Sequence, residues 1–139
     1  MRQVFTTIEV ETRAPGLVEI TDAVASWIAG GDIEDGLVTL FIRHTSASLV
    51  IQENADPDVR ADLDAFLRRL VPEDSRLYRH TAEGDDDMPA HIRAALTATQ
   101  LSIPLREGRL RLGTWQGIYV FEHRRGRFRR SVDVHVIGE

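Results

Sequence analysis

Cysteine is absent from the 139-residue chain, which removes disulfides, thiolate metal ligands and a thiol nucleophile together. Histidine, aspartate and glutamate remain as the strong side-chain ligands, so a metal site here must be made of nitrogen and oxygen. Lysine is absent as well: all 17 basic residues are arginine. Schiff-base chemistry and the lysine contact of a P-loop are therefore excluded, and an anion must be held by arginine, backbone amides or a metal. Aromatic residues amount to only 6%, and no apolar run approaches the roughly 20 residues that cross a bilayer. The start, MRQVFTTIEVETRAPG, alternates apolar and polar residues where a signal peptide would carry an apolar core. Together these features predict a soluble, cytoplasmic protein with no membrane partner.

A hydrophobic content of 42% suits a single domain over residues 1–139, since a domain of roughly 150 residues buries about 68–70% of its unfolded surface. The net charge of −5 argues against nucleic acid as a partner. Charge is uneven, however, because RRGRFRR at 124–130 holds five arginines in seven residues. Two readings stay open for it: a hairpin turn at Gly126 with solvated flanks, or an anion-binding face.

Period-two alternation at Val4, Thr6, Ile8 and Val10 predicts a half-buried strand. EITDAVASWIAGGD reads as a short helix capped at Thr21/Asp22 and stopped by Gly30 and Gly31. LVTLFIR and SASLVIQE read as two central strands joined at HTS. The strongest helix signal is NADPDVRADLDAFLRRLVPED, where Asp56 caps, Pro57 fits the first turn and Val59, Leu63, Phe66, Leu67 and Leu70 form one stripe. Pro89 begins a third helix, and TQLSIPL, RLRLGTW, QGIYVFEH and RFRRSVDVHVI follow as strands with turns at Gly108 and Gly126. The expected fold is α+β: a single compact domain of largely antiparallel, sandwich-like sheets with about three helices.

Four places interrupt this pattern with polar residues. RHTSAS sets His44 and then Thr45 and Ser46 at the end of an apolar strand. QENADP places Asn54, the one asparagine, two residues before Asp56 at a strand-to-helix junction. GTWQGIYVFEH carries Gln116 in an apolar setting, and HTAEGDDDMPAH puts His80 and His91 around Glu83, Asp85, Asp86 and Asp87. Asp56 serves as an ordinary cap or, with the free amides of the helix start, as part of a ligand site. His80 and His91 are too far apart for a trusted zinc spacing, yet the acidic loop between them supplies oxygen ligands. His123 and His135 alternate outward beside Arg and Asp and are expected on the surface.

HTSASLVIQENADPDVRADL, HTAEGDDDMPAHI, GRLRLGTWQGIYVFE and the ending VIGE, in that order, resemble the YjbQ family over essentially the whole chain. The resemblance implies a homotrimer with a divalent metal, Zn²⁺ or Mg²⁺. It also implies a weak thiamine-phosphate synthase activity, in which a pyrimidine pyrophosphate and a thiazole phosphate join and pyrophosphate leaves. The matching motif positions are His44, Asn54, Asp56, His80, Glu83, Asp87, His91, Gln116, Glu122 and Arg130. Of these, Asn54, Asp56, Glu83, Asp87, Gln116 and Glu122 are expected to act in catalysis, with Arg130, Thr45 and Ser46 toward a phosphorylated small molecule. A non-catalytic metal- or anion-binding oligomer and a metal-dependent phosphoester hydrolase use the same residues.

The ligand set expected is His44, His80 and His91. His44 stands at a strand end where an unpaired imidazole is costly to bury, and the loop before His91 can fold back to present His80. Three imidazoles leave one tetrahedral position open. Asp85, Asp86 and Asp87 then form the rim and orient the imidazoles, or hold a second, harder ion beside the phosphates.

Overall fold

The first and last strands of the chain pair with each other. In the computed structural model, which describes residues 1–139, β1 (Arg2–Thr12) runs antiparallel to β8 (Phe128–Gly138) along its full length, Arg2 opposite Gly138 and Thr12 opposite Phe128. β3 (Gly36–Ile42) takes the other edge of β8, followed by β5 (Gln100–Arg106) and the short β6 (Arg109–Leu110). The second sheet has three strands in the order β2 (Gly16–Glu19), β7 (Gln116–Glu122) and β4 (Ala47–Glu53). Every pairing between these strands is antiparallel. The architecture is α+β in one domain.

The core lies between the sheets. Val132, Val134 and Val136 of β8 and Val38, Leu40 and Ile42 of β3 meet Leu49, Ile118 and Val120 of the smaller sheet. Val24 and Ile28 of α1 (Thr21–Ala29) join the same cluster. The far face of the small sheet is covered by α2 (Pro57–Leu70) and α3 (Asp87–Leu96). β7 is therefore buried on both faces, from Gly117 through Glu122, as the middle strand of a covered sheet must be. None of the helices is long and apolar enough to cross a membrane.

Several local signals act as the sequence predicts. The Asp56 side chain accepts from the Asp58 N–H at 2.9 Å and Pro57 opens α2. The β5–β6 turn places Glu107 at φ 52° and Gly108 at φ 72°, the positive pair a tight hairpin needs. Other expectations are corrected. LVTLFIR and SASLVIQE do not sit side by side: β3 belongs to the large sheet, and β4 is an edge strand of the small one. Gly126, at φ 104°, does not close a hairpin, because β7 and β8 lie in different sheets and the segment between them crosses from one to the other. RLRLGTW contributes only Arg109–Leu110 as strand. Thr21 is inside α1 and makes no cap; its hydroxyl donates to Glu19 and accepts the Ile118 N–H, both at 2.8 Å.

Candidate metal centre

α3 starts two residues earlier than Pro89 suggests, at Asp87, and this places Asp87 and His91 one turn apart on the same helical face. The preceding segment brings His80 to the same point. One carboxylate oxygen, Asp87 Oδ2, lies 2.6 Å from His80 Nε2 and 3.1 Å from His91 Nε2. The donor atoms of these three residues all fall within 4.8 Å of one another. Ligands about 2.0–2.1 Å from a tetrahedral ion stand roughly 3.3 Å apart, so a small opening of the cluster accommodates one.

The far side of His91 fixes its tautomer. Nδ1 is 2.9 Å from the Thr45 carbonyl oxygen, which can only accept, so Nδ1 carries the hydrogen. The Nε2 lone pair then faces a carboxylate oxygen, which is favourable only if a proton or a metal ion stands between them. A metal-bound imidazole donating its other N–H to a carbonyl is a recurrent supporting arrangement. Asp87 is 3% exposed at its side chain, against 42% for His80 and 31% for His91, so the cluster has a buried floor and an open imidazole side. Burial pushes the Asp87 carboxyl up, but the hydrogen bond from His80 and the charges of His91 and Arg124 outweigh it and hold the group below the ordinary carboxylate range.

His44 is not part of this cluster. Its Nε2 accepts the Ser131 N–H at 2.8 Å and its Nδ1 lies 3.3 Å from an Arg130 Nη. Burial and the neighbouring Arg130 charge lower its pKa. The imidazole expected as a ligand thus has its partner in the backbone of β8. Asp87, expected to orient the imidazoles, meets both of them through one oxygen. Asp86 is turned away, accepting the Arg125 N–H at 2.9 Å and pairing with Arg124. Glu83 and Asp85 are exposed, and Glu83 contributes its backbone carbonyl to Arg124 at 2.9 Å.

The remaining expected site residues lie in two other places. Glu122 and Arg130 form a buried pair at the end of the sandwich, with Arg130 Nε 2.7 Å from Glu122 Oε1 and an Arg130 Nη donating to Ser46 Oγ at 3.1 Å. Arg130 and Ser46 are thereby engaged inside the protein, while Thr45 is exposed. Asn54, Asp56 and Gln116 gather at the start of α2, where the Asn54 N–H donates to the Trp115 carbonyl at 2.9 Å and Gln116 Oε1 accepts the Gly113 N–H at 2.7 Å. The arginine-rich stretch is largely consumed by internal pairs: Arg124 with Asp86 and Asp87, Arg125 with Glu73, and Arg130 with Glu122.

His123 is a correction of a different kind. It is 1% exposed, not solvated, because the alternation that turns it away from the core turns it toward α3. His123 Nε2 lies 2.9 Å from Ser48 Oγ, which accepts from Thr97 Oγ1 at 2.6 Å, and Thr97 Oγ1 also lies 2.9 Å from the Arg93 carbonyl oxygen. Burial first, then the charge of Arg93, lowers the His123 pKa to about 4. The unfolded chain takes up this proton near 6.5 and the folded one only near 4, so stability is lost as pH falls through that window. The loss expected is roughly 3 kcal/mol. Urea titrations at pH 7 and pH 4.5 measure it, and His123→Gln is expected to remove most of the difference; an unchanged pH dependence in that variant contradicts the assignment. His135, by contrast, lies on the outer row of β8 as expected, beside Gln3 at 2.8 Å.

Residues 6–139 match the family model described as UPF0047 protein YjbQ-like. A UPF0047 protein of Synechocystis sp. is 53% identical over 94% of this chain and 88% of its own length. A conserved hypothetical protein of Thermus thermophilus superimposes with a TM-score of 0.85 at 38% identity, covering 95% of this chain and 99% of that one. An uncharacterised YjbQ/UPF0047 protein of Clostridium acetobutylicum gives 0.86 at 35% identity over 95% and 99% of the two chains. With a match across nearly all of its length, and the motifs around His44, His80 and Trp115 inside it, the chain belongs to the YjbQ/UPF0047 family.

Proposed function

We propose that this chain holds one divalent metal ion among His80, Asp87 and His91 and offers its open coordination position to an oxygen of a phosphorylated small molecule. The observation that supports this reading is the His91 ring, whose Nδ1 hydrogen is committed to the Thr45 carbonyl while Nε2 faces Asp87 Oδ2 at 3.1 Å. Two imidazoles and one carboxylate favour Zn²⁺ or a similar transition metal over Mg²⁺. Such an ion supplies Lewis-acid stabilisation of charge on a phosphate oxygen. Asp87 positions both imidazoles, and Arg124 and the Thr45 carbonyl fix Asp87 and His91 in turn.

The finer proposal, carried by the family resemblance, is a metal-dependent transferase with weak thiamine-phosphate synthase activity. Loss of pyrophosphate from the pyrimidine partner builds negative charge that a metal centre can stabilise. The positive charge left on the ring needs an aromatic face or a carboxylate. Trp115 is 62% exposed and Tyr119 lies buried beneath Arg60, so the metal side of the reaction has the stronger support. Phosphoester hydrolysis uses the same metal side.

A second reading, an ion with a structural role alone, is favoured by one feature: His80 lies outside any helix or strand, and its bond to Asp87 ties its segment to α3. The two readings separate in one set of measurements. Metal-loaded protein, freed of contaminating synthase, is expected to form thiamine phosphate from the two precursors, and His80→Ala to abolish it. No product with zinc, manganese or magnesium, combined with a large fall in melting temperature on chelation, contradicts the transferase and supports the structural ion. We also propose a homotrimer, supported by Phe5, Phe41, Phe66 and Leu70, which are 46–62% exposed. Light scattering on the same preparation should give three times the chain mass; a monomer contradicts it.

A further inference from the structure

The two oxygens of Asp87 have different surroundings. Oδ2 faces the imidazoles, whereas Oδ1 lies 3.1 Å from an Arg124 Nη. The same guanidinium approaches both oxygens of Asp86, with Nε and the other Nη at 3.3 Å, and donates to the Glu83 carbonyl at 2.9 Å. Its plane stands over the Phe128 ring, 5.4 Å from the centroid. The backbone on either side is fixed too: the Arg124 N–H donates to Glu122 at 3.1 Å and the Arg125 N–H to Asp86 at 2.9 Å. Arg124 is thus a positioned cation between two consecutive acidic residues, Asp86 and Asp87, with a side chain only 19% exposed.

Without that cation, Asp86 and both oxygens of Asp87 form a cluster of hard oxygen donors, the type of set that Mg²⁺ and Ca²⁺ require. With it, the donors left free are one carboxylate oxygen and two imidazole nitrogens. We propose that Arg124 stands in the place of a second cation, keeps Asp87 a one-oxygen ligand, and so restricts the centre to a single ion of the zinc or cobalt type. The inference rests on the metal reading above and adds how many ions, and of which class, the centre takes. It also removes the second, harder ion that the sequence left open for Asp85–Asp87. Arg124 is a positioning residue here, acting on the ion through Asp87.

The test uses metal-free full-length protein titrated with Co²⁺, followed by visible absorption, and separately with Mg²⁺, followed by calorimetry. Wild type is expected to bind one Co²⁺ per chain and to give no Mg²⁺ heat at submillimolar concentrations. Arg124→Met is expected to bind Mg²⁺ at least about tenfold more tightly than wild type, or to take a second Co²⁺. Adding Asp86→Asn to that variant is expected to return it to one ion. Arg124→Lys keeps the charge and is expected to keep the wild-type selectivity, a result that a merely structural role for the arginine does not predict. Should Arg124→Met fail to fold, Arg124→Gln, which retains a donor for the Glu83 carbonyl, is read in the same way. A folded neutral variant with wild-type stoichiometry and selectivity overturns the inference and leaves the metal reading intact. Wild type that binds no Co²⁺ overturns both.

Discussion

Arg130→Met is expected to lower stability at neutral pH by about 3–5 kcal/mol, the range for removing one partner of a buried ion pair. The expectation follows from what the substitution leaves behind. Glu122 is fully buried, and its carboxylate accepts from Thr12 Oγ1 at 2.5 Å, from the His123 N–H at 3.0 Å and the Arg124 N–H at 3.1 Å, and from Arg130 at both oxygens. Burial opposes its ionisation, but the hydrogen bonds from Arg130 and Thr12 prevail and hold its carboxyl below the ordinary range. Take Arg130 away and a buried carboxylate keeps neutral donors only. The effect should be non-additive: Glu122→Gln with Arg130→Met is expected to cost less than the two single losses summed, because neither half then leaves a bare charge. Urea unfolding at pH 7 measures all three variants, and a single-variant loss below about 1 kcal/mol contradicts the account. The lowered Glu122 pKa also places its share of stability above the unfolded carboxyl value, to be lost as pH falls through the folded one. The pair thus supports the fold, and through the Arg124 N–H it steadies the residue that holds Asp87.

The second large effect is on metal affinity. Asp87→Ala removes the one oxygen that meets both imidazoles and is expected to weaken Zn²⁺ binding by roughly 100-fold or more, beyond the 10- to 100-fold typical of losing a supporting contact. The fold should persist, since Arg124 keeps Asp86 and the Glu83 carbonyl. His44→Ala is the control. With Nε2 already receiving the Ser131 N–H, His44 has no lone pair directed at the cluster, and its loss should leave zinc affinity within about threefold of wild type. Competition titration with a chromophoric chelator reads both variants; equal losses in the two restore His44 to the ligand set.

What the sequence could reveal depended on whether a signal was local. The Asp56 cap, Pro57 and the stripe that follows describe α2 without reference to anything distant, and α2 forms as described. The Glu107–Gly108 turn is local in the same sense. His123 fails because strand alternation tells which residues share a face but not what covers it, and β7 is covered on both. Gly126 fails similarly: a glycine turn between two strands has the same composition whether the strands pair or part into separate sheets. The centre was half legible. The i, i+4 spacing of Asp87 and His91 is a helical-face signal present in DMPAH, hidden once the helix is started at Pro89. The pairing of His44 with β8 joins positions 44 and 131 across the fold, and no nearby residue announces it.

The central claim, one metal ion held by His80, Asp87 and His91, is tested most directly by anomalous diffraction at the zinc absorption edge from crystals of the zinc-loaded protein. The structure predicts one strong peak per chain, about 2.0–2.2 Å from His80 Nε2, His91 Nε2 and Asp87 Oδ2, with Arg124 still on Oδ1. A peak at His44, a peak among Glu83, Asp85 and Asp86, or no peak in the presence of excess zinc contradicts it.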